Sequence, residues 1–457
     1  MTVTNTKLLA TIFLSIHYSA FSTARIEGEW TLAKSPEAWV LTDRSAEMTS
    51  EAIERFGKLK EIIATELKID RGESPRAFRT HYVIIPKSKD LFDKLTPFQS
   101  RSPNSRATGF YLQSDFNPLT LSGGTSESQN WETIYHEFTH HVLHSYLNAL
   151  PAWADEGLAE LFSNLRFTKG TVQLSRSRGR THRYEASMPA FIEWRSFFTT
   201  TRETLTGWIE NDGSKAQAYY AQAALLAELT HFGRPELKNG YWQLVERSHY
   251  KPITDLDCQI LLGLSYIELQ DAIVKQLRDS FSKSFPRTQL KKIGSTPQRS
   301  APSSSVAAVI AIALSRSGKV NEAASRLAAS PDRENPLWLT AKSEVSMEMG
   351  NTALALDFAD QSIQHSSIDP FILTLSVMHS VNEERLYPSQ ALHSLTRAYE
   401  GGDTSRLMFN LYFEISRKSS MPFDEFAPFA KKGVKIHPDI EYARELNRLE
   451  TARILKN

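Results

Sequence analysis

The stretch Trp131 to Phe162 reads WETIYHEFTHHVLHSYLNALPAWADEGLAELF, and the rest of the chain is interpreted outward from it. His136-Glu137-Phe138-Thr139-His140 is an HExxH pattern. On a helix, positions i and i+4 lie on one face, so both imidazoles reach a single metal ion and Glu137 flanks it. Ile134, Tyr135, Phe138, Val142 and Leu143 give the same helix an apolar side to bury, which supplies the dry, shaped cavity a metal site needs. A catalytic zinc takes three protein ligands and keeps one position open. Pro151 opens a second helical segment that carries Glu156, sixteen residues after His140. That is far enough for the chain to turn back, and Glu156 is the expected third ligand. Glu160, one helical turn further, is placed to accept a hydrogen bond from a ligand imidazole and fix its tautomer. His144 extends the His136/His140 face by another turn and is an alternative ligand for a site of a different kind, whereas His141 is expected beside the site or at the surface. His231, His249 and Cys258 read as structural.

HExxH followed by WxxEGxA (Trp153 to Ala159) resembles the gluzincin zinc metallopeptidases, especially the bacterial peptidase MA-like domains and, more distantly, the aminopeptidase N-like enzymes. The resemblance implies one zinc ion per chain held by His136, His140 and Glu156, and a peptide or protein substrate. It also implies hydrolysis through a zinc-bound water of pKa about 7, with Glu137 as general base. Gly109-Phe110-Tyr111 resembles the edge strand against which such enzymes lay an extended substrate. Tyr220 to Leu226 (YAQAALL) is similar to the helix whose leading tyrosine stabilises the tetrahedral intermediate, which makes Tyr220 the expected oxyanion donor and Tyr219 its competitor. Leu262 to Leu277 resembles the closing helices, so the likeness spans roughly residues 35 to 281. Two features depart from the aminopeptidases: the His140-to-Glu156 interval is shorter, and the GxMEN-type sequence that grips a free amine is absent. Two other classes fit the same residues, a catalytically inactive scaffold whose C-terminal helices bind a protein, and a zinc hydrolase of a non-peptide amide. An intact Glu137 speaks against the first.

Upstream, Lys7 precedes an uncharged stretch with an apolar heart at Leu8 to Ile16 and small residues at Ala20, Ser22 and Ala24. That order suits a secretory signal peptide over 1–24 and falls short of the roughly 20 apolar residues a membrane span needs. Periplasmic or secreted localisation is the expectation, cytoplasmic the alternative. Ile53, Phe56, Leu59, Ile62, Ile63 and Leu67 predict a helix over 47–67, and THYVII at 80–85, ATGFYL at 107–112 and PLTLS at 118–122 predict a sheet of three or four strands. From Trp131 the pattern is helical apart from a hairpin over 166–174.

The expected fold is therefore α+β: a zincin-like domain over 30–281, with a small mixed sheet and a helical subdomain, followed by an all-α domain. Ser282 to Ser305, rich in Pro, Ser and basic residues, reads as a solvated linker between them. Beyond it, Gly318/Ala323 and Gly350/Ala355, with Ala391 and Ala398 echoing Ala355 and Ser362, predict tetratricopeptide-like helix pairs over 306–457 that offer a surface to a protein partner. Deleting that region is expected to leave hydrolysis of a small substrate intact. Fifty-three basic against fifty-two acidic residues leave a net charge of +1, which gives no overall surplus for nucleic acid, and the single cysteine excludes an intramolecular disulfide or a thiolate zinc cluster.

Overall fold

The computed structural model describes residues 29–454 apart from 36, 69–78, 97–108, 113, 124–126, 148–149, 280, 287–295, 299, 331, 333, 366, 368, 438–439 and 441. The expected signal segment, 1–24, lies outside the described residues. The elements run β1 (Thr31–Lys34), β2 (Ala38–Thr42), α1 (Ala46–Glu66), β3 (His81–Ile85), α2 (Lys89–Leu95), β4 (Gly109–Leu112), β5 (Leu119–Ser122), α3 (Glu127–Tyr146) and α4 (Ala152–Phe162). A hairpin of β6 (Leu165–Phe167) and β7 (Thr171–Leu174) precedes α5 (Arg178–Ser187), α6 (Trp194–Thr199), α7 (Arg202–Asn211), α8 (Gly213–Glu228), α9 (Lys238–Ser248), α10 (Asp255–Leu262) and α11 (Tyr266–Arg278). After β8 (Lys283–Pro286) and β9 (Thr296–Gln298) come α12 (Ser303–Arg316), α13 (Val320–Ala329), α14 (Pro336–Glu348), α15 (Thr352–Gln364), α16 (Pro370–Asn382), α17 (Pro388–Glu400), α18 (Arg406–Lys418), α19 (Phe423–Ile436) and α20 (Ala443–Ile454).

The larger sheet has the order β4-β5-β3-β2-β1-β9. Its centre, β2, β3 and β5, is parallel, and β1, β4 and β9 are antiparallel to their neighbours. Successive side chains of a strand point to opposite faces. Val83 and Ile85 of β3 join Val40 in a core with Phe56, Leu59 and Ile63 of α1 and Ile134 and Phe138 of α3. Tyr82 and Ile84 join Leu32, Leu41, Leu119 and Leu121 on the other side, against Phe92 and Leu95 of α2 and the apolar residues of α12, α13 and α14. Cover on both faces is why β3 reads as a continuous apolar run rather than an alternating one.

The mixed α+β architecture and the C-terminal helices agree with expectation, but three details differ. Among the described residues the sheet has six strands rather than three or four, because β1, β2 and β9 join the three read from the sequence. A tight turn joins β1 to β2, where Ser35 Oγ accepts from the Glu37 and Ala38 N–H groups. The stretch 282–305 is not a plain linker: β8 pairs with β7, and β9 closes the far edge of the larger sheet beside β1. Two of its three prolines, Pro286 and Pro297, sit in outer strands, where a missing N–H is tolerated. The boundary before residue 306 also falls away, since α12 to α14 supply most of the second core.

In the C-terminal region the helices follow one another as hairpins. Gly318 (φ 77°), Gly350 (φ 74°), Glu384 (φ 55°) and Ser420 (φ 53°) take the left-handed conformation in the turns of four successive pairs, at intervals of 32, 34 and 36 residues. The third turn, which lacks glycine in the sequence, is thus made by Glu384. Ala323, Ala355 and Ala391 are fully buried, as close helix packing requires. Among the described residues no helix is long and apolar enough to cross a membrane.

Candidate metal centre

α3 packs one side into the core beneath the sheet through Ile134, Phe138 and Val142, which leaves His136 and His140 facing α4. α4 in turn lies close against α8. A Cβ on Gly157 would stand 2.5 Å from the Ala223 carbonyl oxygen, so glycine after Glu156 permits this approach and the alanines of α8 maintain it. The result is three ligand atoms in a triangle. His136 Nε2 and His140 Nε2 are 3.1 Å apart, and Glu156 Oε2 is 3.3 Å from the first and 3.5 Å from the second. Zinc bonds of about 2.0 to 2.1 Å at a tetrahedral angle require ligand atoms about 3.3 Å apart. Among the described residues Glu156 Oε2 is buried with no hydrogen-bond partner, and burying an acceptor unsatisfied is costly unless a cation or donor meets it. The side chain of His136 keeps 14% of its surface accessible, so the triangle is reachable from solvent.

The other nitrogen of each imidazole is also held. His136 Nδ1 lies 3.4 Å from Glu160 Oε1, and Glu160 Oε2 accepts from the Tyr184 hydroxyl at 3.0 Å and from Arg180. His140 Nδ1 lies 3.0 Å from Asp155 Oδ2, which also accepts from Arg202 and sits 3.2 Å from His144 Nε2. Asp155 received no role from the sequence. Its signal was its place directly before Glu156, about 100° around the helix, which turns it toward the far nitrogen of His140. His140, His144 and Asp155 form a second metal-like grouping, but Arg202 already neutralises Asp155, whereas Glu156 is ion-paired only with the two imidazoles among the described residues.

Electrostatics favour positive charge at this spot. Burial by itself would lower the His136 pKa, yet Glu156 and Glu160 raise it to about 9. Burial opposes protonation of His140 as well, and Asp155 and Glu156 still hold its pKa well above the ordinary value. For Glu156, burial pushes upward and His140 and His136 pull its pKa down to about 2. A site that draws protons onto two buried imidazoles suits a divalent cation, which would displace those protons as the ligands deprotonate. Glu137 is buried beside it. Desolvation raises its pKa, and its carboxylate accepts from the Tyr111 backbone N–H on the edge strand β4.

The two tyrosines separate cleanly. The Tyr220 ring lies 6.3 Å from the His136 ring, and burial together with Glu156 and Glu137 keeps its phenol protonated. Tyr219 is fully buried against Phe197 and Trp208. His141, expected beside the site or at the surface, turns inward instead. It is buried, its Nε2 lies 3.0 Å from the Arg79 carbonyl, and its ring packs 4.4 Å from His81, because that side of α3 faces the sheet. His231 and Cys258 are buried. Tyr111, whose ring lies 6.2 Å from His140 and 5.5 Å from His144, roofs the histidines from β4. No known protein family matches the chain, and no curated protein is significantly similar to it.

Proposed function

We propose that the protein is a zinc-dependent hydrolase of peptide bonds, a gluzincin-type metallopeptidase in a zincin-like fold. The observation that carries this reading is the triangle of His136, His140 and Glu156 with Glu137 beside it and a carboxylate behind each imidazole. Two imidazoles and one carboxylate are a donor set that suits zinc with an open position. The metal, when bound there, supplies the Lewis acid that makes water nucleophilic near neutral pH and polarises a scissile carbonyl. Glu137, whose pKa is raised by burial, takes the proton from the attacking water and delivers it to the leaving amine. Tyr220, kept protonated, donates to the developing oxyanion. Glu160 and Asp155 hold both rings in the tautomer that presents Nε2. We further propose export through the 1–24 segment, which N-terminal sequencing of the mature protein checks, and a protein-binding role for the C-terminal helix pairs.

Elemental analysis of the wild type beside His140→Ala and Glu156→Ala tests the centre. Near one zinc per chain, lost in both variants, is expected, and no zinc after reconstitution of the wild type would end the hydrolase reading. Glu137→Gln should keep its zinc while turnover of casein falls on the order of 100-fold or more. Full activity in that variant would remove the assigned base.

A further inference from the structure

We infer that the helices after residue 302 hold the edge strand β4 over the metal centre, with Arg316 and Asp369 as the positioning residues. The consequence for turnover rests on the hydrolase reading; the placement of the strand does not. Among the described residues β4 has a single hydrogen-bonded neighbour, β5, and the turn that leads into β5 includes residues 114–118. The turn does not end in solvent. Arg316, the last residue of α12, donates from Nη1 to the Leu112 carbonyl at 3.2 Å and from Nη2 to the Asn117 carbonyl at 2.8 Å, so one guanidinium bridges both ends of the turn.

Glu344 of α14 fixes that guanidinium in a two-pronged contact, Nε to Oε1 at 2.6 Å and Nη2 to Oε2 at 3.0 Å. Both side chains are almost wholly buried, 7% and 3% exposed. Asp369, which caps α16 by accepting from the Phe371 N–H, takes the Asn117 N–H on its other oxygen at 2.7 Å. Phe116 inserts edge-on against Phe371, 4.9 Å between ring centres, in a cluster with Leu356, Ile372 and Leu375. An ion pair that served the helices alone would need only Glu344. Here the planar fork of arginine, which a lysine cannot copy, is shared with two main-chain carbonyls some 200 residues earlier in the chain.

At its other end the same four-residue strand meets the chemistry. A Cβ on Gly109 would stand 2.2 Å from Thr133 Cγ2 and 3.4 Å from Glu137 Cγ, and Tyr111 gives its backbone N–H to Glu137. A shift at Leu112 is therefore felt within one to three residues, at the group assigned as base and at the roof over His140.

The test uses the full-length chain and compares wild type with Arg316→Lys, Asp369→Asn and the paired Arg316→Met/Glu344→Met, which leaves no lone buried charge. In the paired variant, hydrogen exchange in peptides covering β4 and β5 should quicken about tenfold while α3 and α4 keep their protection. Zinc content should stay at the wild-type level. With casein as the probe, KM should rise about tenfold with kcat within about threefold of wild type, and Arg316→Lys should fall between. Wild-type protection of β4 together with an unchanged KM would overturn the inference. If the wild type does not cleave casein, the hydrolase reading fails there and the exchange measurement alone decides the role of Arg316. If the paired variant does not fold, Asp369→Asn decides: faster exchange confined to β4 and β5 supports the inference, and wild-type exchange overturns it.

Discussion

The two faces of the six-stranded sheet are both covered by apolar side chains, yet they are assembled in opposite ways. One face receives α1 and α3, each close in sequence to the strands it covers, and the titratable chemistry collects there, on α3 and on α4 beside it. The other receives, besides the short local α2, mainly α12 to α14, which begin at Ser303, long after β5 ends at Ser122, and its buried Arg316–Glu344 pair serves the main chain of a distant hairpin. Chemistry in this chain is written locally, while the frame that aims it is built at long range.

The largest expected effect follows from that division. Ending the chain at residue 300 would uncover Leu32, Leu41, Tyr82, Ile84, Leu119 and Leu121, all buried in the second core. At about 1.5 to 3 kcal/mol for each large apolar side chain, the loss is on the order of 10 kcal/mol, which is comparable with the whole stability of a domain. The 1–300 fragment is expected to lack a cooperative melt and to accumulate as aggregate. A soluble fragment with a sharp transition and a full complement of metal would show two separable bodies and erase the contrast between the faces. Collapse of the fragment would reverse the expectation, drawn from the Pro- and Ser-rich composition of 282–305, that the helical region is dispensable for hydrolysis of a small substrate.

Legibility in the sequence follows the same line. His136, Glu137, His140, Glu156 and Glu160 were readable because their relations are helical spacings of one to four residues, joined by one short turn. Asp155 was not, since its role exists only where the Nδ1 side of His140 meets Arg202, a residue that α7 brings in 47 positions later. Nor was the choice between Tyr219 and Tyr220, neighbours one 100° step apart whose facing depends on where α4 packs against α8. β1 and β9 escaped because TLAK and TPQ lack the β-branched and aromatic run that marks β3, whereas β2 (AWVLT) does carry such a run. The second core escaped because nothing in α12, apolar on every side from Val306 to Leu314, says which surface it covers.

A smaller effect is expected behind the metal ligands themselves. Asp155 is fully buried and serves His140, His144 and Arg202 together, whereas Glu160 serves His136 from a partly accessible position. Asp155→Asn removes a charge from the more buried of the two and presents an amide donor to one of its partners. Zinc affinity, measured by competition with a chelator, should fall toward the upper end of the roughly 10- to 100-fold range for such supporting groups, with Glu160→Gln nearer the lower end. Equal affinities in wild type and Asp155→Asn would mean that the ring of His140 is oriented by packing alone, and that the local face carries less of the site than its geometry implies.

The smallest effect is silent at neutral pH and concerns the polar load beneath the local face. His81 of β3 packs against Phe138 and His141, fully buried, with neither ring nitrogen hydrogen-bonded among the described residues. Burial, helped by the Arg316 charge, lowers its pKa to about 3, against about 6.5 in the unfolded chain. The unfolded state therefore binds more protons between those values, so stability is intact above pH 6.5 and declines as pH falls through the window. His81→Phe keeps an aromatic ring in an aromatic setting and cannot take up the proton. Between pH 8 and pH 5 the wild type should lose about 2 kcal/mol more stability than the variant, read from urea midpoints at the two pH values. Parallel losses would show that His81 gains a partner in solution, and that the face carrying the metal centre is more open to water beneath β3 than its packing indicates.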